Sequence, residues 1–192
     1  MTPAKPLPPT VAIPDDFIAG TLMICEKILK QDTGNLTIVS VFNNAHIELQ
    51  DDGEPKGGIP IPAASMHLRM VAMRPTSIPW TVFLRVLTWN GTPEPATRIA
   101  AVFGGTTHLE DGGPLVSDLP MDYRGGFFRI TPDRPIPTDG KLCVTARFEL
   151  WTGDRFLVAQ PIDFHYTFVK VQPPTAEGEQ HASAPRSSAG AP

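Results

Sequence analysis

Residues 142–151 read LCVTARFELW, and their alternation decides the fold. Leu142, Val144, Ala146, Phe148 and Leu150 take every second position, with Cys143, Thr145, Arg147 and Glu149 between them. A period of two belongs to an extended strand, whose successive side chains point to opposite faces, so that one face enters a core and the other meets water. Thr152, Gly153 and Asp154 then supply turn chemistry, because Gly accepts positive φ and Asp can bond its own backbone. Phe156 opens a return strand. After Pro161, Ile162, Phe164, Tyr166 and Phe168 line one face against Asp163, His165 and Thr167 on the other. These two strands form the closing hairpin of an antiparallel sheet.

Working outward, the same rhythm recurs. Residues 17–29 (FIAGTLMICEKIL) are apolar, but Gly20, Thr21 and the β-branched Ile24 and Ile28 favour a strand over a helix. The cluster at 31–35 turns the chain into residues 36–42 (LTIVSVF), which completes a hairpin. Ala45 to Leu49 is a short strand with Ile47 and Leu49 on one face and His46 and Glu48 on the other. Residues 50–64, with acidic residues, a Gly pair and three prolines, are expected to run as an irregular surface loop. In residues 66–73 Met66, Leu68 and Met70 are expected to face in and His67 and Arg69 out. Residues 80–89 (WTVFLRVLTW) place Val82, Leu84 and Val86 inside, with Phe83, Leu87 and Trp89 on a second apolar face that needs a cover. Asn90 and Gly91 mark a turn, and 98–103 is the next strand. Residues 104–126, rich in Gly and Pro, read as the longest irregular stretch.

About ten strands and no helix specify an all-β fold: a two-sheet antiparallel β-sandwich, with a closed β-barrel as the alternative. The 192-residue chain divides into a Pro-rich disordered arm at 1–14, one folded unit at 15–171 and a disordered Pro/Ala/Ser-rich tail at 172–192. A net charge of −4 provides no concentrated basic footprint for nucleic acid. No apolar run reaches the roughly eighteen residues of a membrane span. The N-terminus lacks the apolar centre of a secretory signal, which points to the cytoplasm. Cys25 and Cys143, far apart and without CxxC spacing, read as reduced thiols, with a sheet-to-sheet disulfide as the alternative.

The block MICEKILKQDTGNLTIVSVF resembles the N-terminal signature of an uncharacterised family of bacterial proteins, in which an apolar-Cys-acidic strand precedes a Gly-centred turn and a second strand ending in an aromatic. The matching positions are Ile24, Cys25, Glu26, Gly34, Leu36 and Phe42; residues 61–68 and Gly140, Leu142, Val144, Phe148 and Gly153 are similar to later landmarks. The resemblance implies a small sandwich, immunoglobulin-like or C2-like in outline, without an established activity.

Chemistry-bearing spacings are sparse. His46, His67, His108 and His165 show no HxH, HExxH or Cys/His pattern, so no metal site is expected, and no cofactor. Asp51, Asp52, Glu54, Glu110, Asp111, Asp118 and Asp122 gather in expected loops; Ca²⁺ would need about six to eight oxygen ligands, and the groups read as solvated charge. No GxSxG elbow or phosphate-cradling Gly loop occurs. The set that stands out is aromatic and basic: Phe83, Arg85 and Trp89 on one face of their strand, Arg147 and Trp151 on the outer face of theirs, a combination typical of interface hot spots. The sequence therefore reads as a non-catalytic, cytoplasmic binding or assembly module, for a protein partner or a second copy of itself. The alternatives are a ligand module for carbohydrate, or for Ca²⁺ with lipid, built on loops and Trp80, Trp89 and Trp151, and an enzyme whose site assembles from distant residues such as His108 or His165.

Overall fold

Alternating apolar and β-branched residues make the strands here, and the Gly and Pro between them make the turns. The structure is a computed structural model in which residues 16–31, 35–41, 43–51, 58–110 and 115–170 are described, and among them lie twelve strands and no helix. In chain order these are β1 (Ile18–Lys30), β2 (Leu36–Val41), β3 (Asn44–Asp51), β4 (Ile59–Ile61), β5 (Ala64–Ala72), β6 (Thr76–Trp89), β7 (Thr92–Pro93), β8 (Ile99–Leu109), β9 (Val116–Tyr123), β10 (Gly126–Phe128), β11 (Lys141–Thr152) and β12 (Arg155–Lys170). A four-stranded sheet has the order β2-β1-β5-β9; a six-stranded sheet has β3-β12-β11-β6, with β7 and β8 both paired to β6; β10 and β4 form a small third sheet. Among the described residues each large sheet ends in open edges, so the fold is a sandwich and not a barrel. The arm at 1–14 and the tail from 172 lie outside the described residues.

The two sheets share one core. Leu22, Ile24, Met66, Leu68 and Met70 from the four-stranded sheet meet Val82, Leu84, Val144, Phe148 and Phe164 from the six-stranded one. The ring of Phe128 packs edge-on to Phe164 at 5.3 Å, and the Tyr166 hydroxyl donates to the Pro60 carbonyl at 2.8 Å. Between the sheets, the Ile24 amide donates to Gln160 Oε1 at 2.7 Å. The closing hairpin β11–β12 turns at Gly153 with φ +53°, as the Thr-Gly-Asp break required.

Four local expectations are corrected. Strand β3 lies parallel to β12, not antiparallel; it follows β2 across from the other sheet, so no hairpin turn sets its direction. Residues 104–126 are mostly β8, β9 and β10, not irregular. Gly112 and Gly113 lie outside the described residues, but Gly104 and Gly105 are residues of β8 kept small: a Cβ on Gly105 would come within 2.9 Å of the Trp80 ring. Pro120 is tolerated because β9 is an edge strand. Of residues 50–64, 52–57 lie outside the described residues, but Ile59–Ile61 forms β4 with Ile59 and Ile61 buried. Finally His67, expected outside, is buried, with Nε2 3.0 Å from Asp118 Oδ1 in an alignment too poor for a hydrogen bond.

Candidate functional site: an aromatic and arginine-bearing sheet face

Strands β6 and β11 are direct neighbours, so the residues singled out on each meet on the outer face of the six-stranded sheet. Arg147 lies opposite Arg85, Glu149 opposite Phe83, and Trp151 opposite Thr81. Two arginines in register would repel, and the residue that reconciles them is Glu149. Its carboxylate accepts Arg85 Nε at 2.8 Å and Nη2 at 3.0 Å, Arg147 Nε at 2.6 Å and Trp151 Nε1 at 3.1 Å. Although it points away from the core, Glu149 is only 1% exposed, because the side chains it binds lie over it. Burial alone would raise its pKa; the hydrogen bonds from Arg85, Arg147 and Trp151 outweigh that and hold the carboxyl below its ordinary value. The bond to Glu149 in turn holds Arg85 more firmly protonated, against the opposing effect of burial.

Aromatic rings extend from this clamp. Trp151 meets Phe83 edge-on at 6.4 Å and Phe156 at 5.4 Å. Register places Val102 of β8 opposite Phe83 and Ile99 opposite Arg85. Phe156, Val102 and Ile99 are 47%, 58% and 39% exposed, so the face is apolar at its margin and polar at its fixed centre.

Four of the five residues expected to share a site are therefore neighbours: Phe83, Arg85, Arg147 and Trp151. Trp89 is the correction. The pairing of β6 with β11 shifts so that Ala146 faces Val86 and Thr145 faces Thr88, leaving Leu87 as an extra residue. One inserted residue reverses the alternation, and Trp89 turns into the core at 4% exposure. There its Nε1 donates to the Pro135 carbonyl at 3.2 Å, and the Arg134 guanidinium sits 5.4 Å from its ring centroid. A sugar site using Trp80, Trp89 and Trp151 together loses Trp89 for the same reason. Glu149 was missed as the keystone, yet its signal was present: Arg147, Glu149 and Trp151 stand at i, i+2 and i+4 of one strand, hence on one face.

Other chemical groups are scattered. His46 and His165 stack at 4.8 Å and 14° because β3 and β12 bring them into register. Ser77 Oγ lies 2.7 Å from His108 Nδ1 across β6 and β8. A catalytic pairing also needs an orienting acid and oxyanion donors in a site shielded from water; this pair is open to solvent. Asp122 Oδ1 accepts the Ser65 hydroxyl at 3.0 Å, while Asp52, Glu54 and Asp111 lie outside the described residues. Among the described residues no group of three or more His, Cys, Asp or Glu side chains is placed to hold a metal ion, and no helix is long and apolar enough to cross a membrane. Cys25 and Cys143 are both free, one in each sheet, and burial raises both thiol pKa values.

Fold and face together define an all-β sandwich with one aromatic, arginine-bearing sheet surface. No protein-family model matches the chain, and no curated protein does. Among solved structures it is similar to the CooA pilin subunit from enterotoxigenic Escherichia coli, at 12% identity over 78% of this chain and 99% of that one, with a TM-score of 0.35. A likeness at that score carries no argument about the role of this chain.

Proposed function

We propose that this chain is a non-catalytic protein-binding or assembly module of the cytoplasm that engages its partner through the outer face of the six-stranded sheet. The observation that carries the reading is the clamp around Glu149, which fixes Arg85, Arg147 and Trp151 before any partner arrives. Side chains already held lose less entropy on binding, and Trp and Arg are the residue types from which interface anchors are most often built. Phe156, Val102 and Ile99 add exposed apolar surface around the clamp. Two unpaired thiols suit a reducing compartment.

The test substitutes Phe156→Arg, an exposed margin residue outside the clamp. Wild-type chain and variant are compared for melting temperature, sedimentation and the set of proteins cross-linked to the chain in its native host. The expected outcome is an unchanged melting temperature with loss of a specific cross-linked species. A wild-type chain without any such species, or one whose species survive Phe156→Arg unchanged, counts against this face.

A further inference from the structure

Strand β8 forms the open edge of the six-stranded sheet; among the described residues its ladder partner is β6 alone. Its eleven residues, IAAVFGGTTHL, include no charge and no proline. Soluble proteins blunt such edges with Lys, Pro or inward charge. The other edges show it: β9 carries Asp118, Pro120 and Asp122, and β3 carries Glu48, while uncharged β2 is only six residues long. Alongside β8, between it and β9–β10, runs a groove of about 470 Å³ lined by Ala101, Phe103, Met121 and Tyr123 among others. The Tyr123 hydroxyl is shielded there without a hydrogen-bond partner among the described residues, its residue 8% exposed. Farther along, Thr107 Oγ1 meets Ser117 Oγ at 2.9 Å and draws the two edges together. A strand laid against β8 would bond the edge's free backbone groups and send alternate side chains into this groove.

We infer that the added strand is β8 of a second copy, antiparallel about a two-fold axis through Val102. The sequence of β8 is complementary to itself in that register. Val102 faces Val102, Ala101 faces Phe103, and Ala100 faces Gly104, so each larger residue off the axis meets a smaller one and no charge meets a like charge. On the inner side Phe103, which stacks on Tyr123 of its own copy at 6.0 Å, would lie beside Ala101 of the other and close the groove between them. On the outer side Val102, the most exposed apolar residue of β8, is covered by its own copy, and the faces bearing Phe83, Trp151 and Phe156 become one continuous surface. The inference rests on the assembly reading above and names its partner.

The test uses the full chain in sedimentation equilibrium up to high protein concentration, with mild oxidation of reporters that carry one added cysteine in a Cys143→Ser background, where the remaining Cys25 is buried. Wild type is expected to approach twice the chain mass, and Val102→Lys to remain a monomer at unchanged melting temperature. Val102→Cys is expected to form an intermolecular disulfide at least fivefold faster than Thr106→Cys, because only position 102 meets itself across the axis at disulfide distance. A strict monomer, or equal oxidation at 102 and 106, overturns the inference. A dimer lost in Phe156→Arg but kept in Val102→Lys overturns β8 as the contact and leaves the sheet face standing; a monomeric wild type that still loses a cross-linked partner in Phe156→Arg separates the two readings the other way.

Discussion

A carboxylate shielded from water on the outward side of a sheet stays ionised only if donors replace the water it has lost. For Glu149 those donors are Arg85, Arg147 and Trp151, and removing the charge leaves two guanidinium groups opposite one another. Glu149→Gln is expected to destabilise the fold by about 1.5–3 kcal/mol, the range for hydrogen bonds to charged groups. The lower end applies because Arg147 is 42% exposed and partly screened. Adding Arg85→Met removes the repulsion and recovers part of the loss; urea denaturation of the three proteins measures both steps. The pH dependence follows in sign. The folded pKa lies below the unfolded value, so the stabilisation is fully present above the ordinary Glu pKa of about 4.3 and fades as pH falls through the lower folded value. Between neutral pH and that region wild type should lose more stability than Glu149→Gln.

At the level of single strands, alternation placed the apolar residues where a strand keeps its register and failed where a residue is inserted. His67 is a separate failure, a polar residue of the continuous strand β5 that is buried although it alternates with the apolar set. Val82, Leu84 and Val86 follow the rhythm into the core, but Leu87 interrupts it, so an outward reading of Trp89 is wrong by one residue. A bulge leaves no mark in composition; it is set by pairing with β11, which a single strand cannot announce. Two expected outcomes separate the readings. Trp89→Ala should cost about 3–5 kcal/mol, the range for a buried large aromatic, whereas a surface Trp would cost a few tenths. Calorimetry on that variant decides between them. The Gly-rich 104–126 stretch failed for a related reason: Gly104 and Gly105 look like breakers, yet their smallness answers to Trp80 on the neighbouring strand. Gly105→Ala should therefore cost about 1–3 kcal/mol by overpacking against that ring, visible as a lower melting temperature without loss of strand signal in circular dichroism. The face residues were legible because Arg147, Glu149 and Trp151 alternate without interruption; that β6 and β11 would be neighbours was not, since it depends on sheet order.

For the molecule as a whole, the question is whether two large sheets behave as one folding unit. Their inner faces share a single set of buried residues, and Ile24 of one sheet donates its amide to Gln160 of the other. Neither sheet can leave without exposing the apolar face of its partner, so unfolding should be all-or-none, as in most single domains of this size. The sequence supplies independent reporters for each side. All three tryptophans, Trp80, Trp89 and Trp151, belong to the six-stranded sheet, whereas Cys25 is buried in the four-stranded one, its Sγ donating to the Ser65 carbonyl at 3.3 Å. In a Cys143→Ser background, tryptophan fluorescence then follows one sheet and pulsed thiol labelling of Cys25 the other. The two transitions are expected to share one denaturant midpoint. If Cys25 became reactive at a clearly lower denaturant concentration than the fluorescence change, the four-stranded sheet would be opening alone, and the outer face of the six-stranded sheet would be carried by a unit stable without its partner.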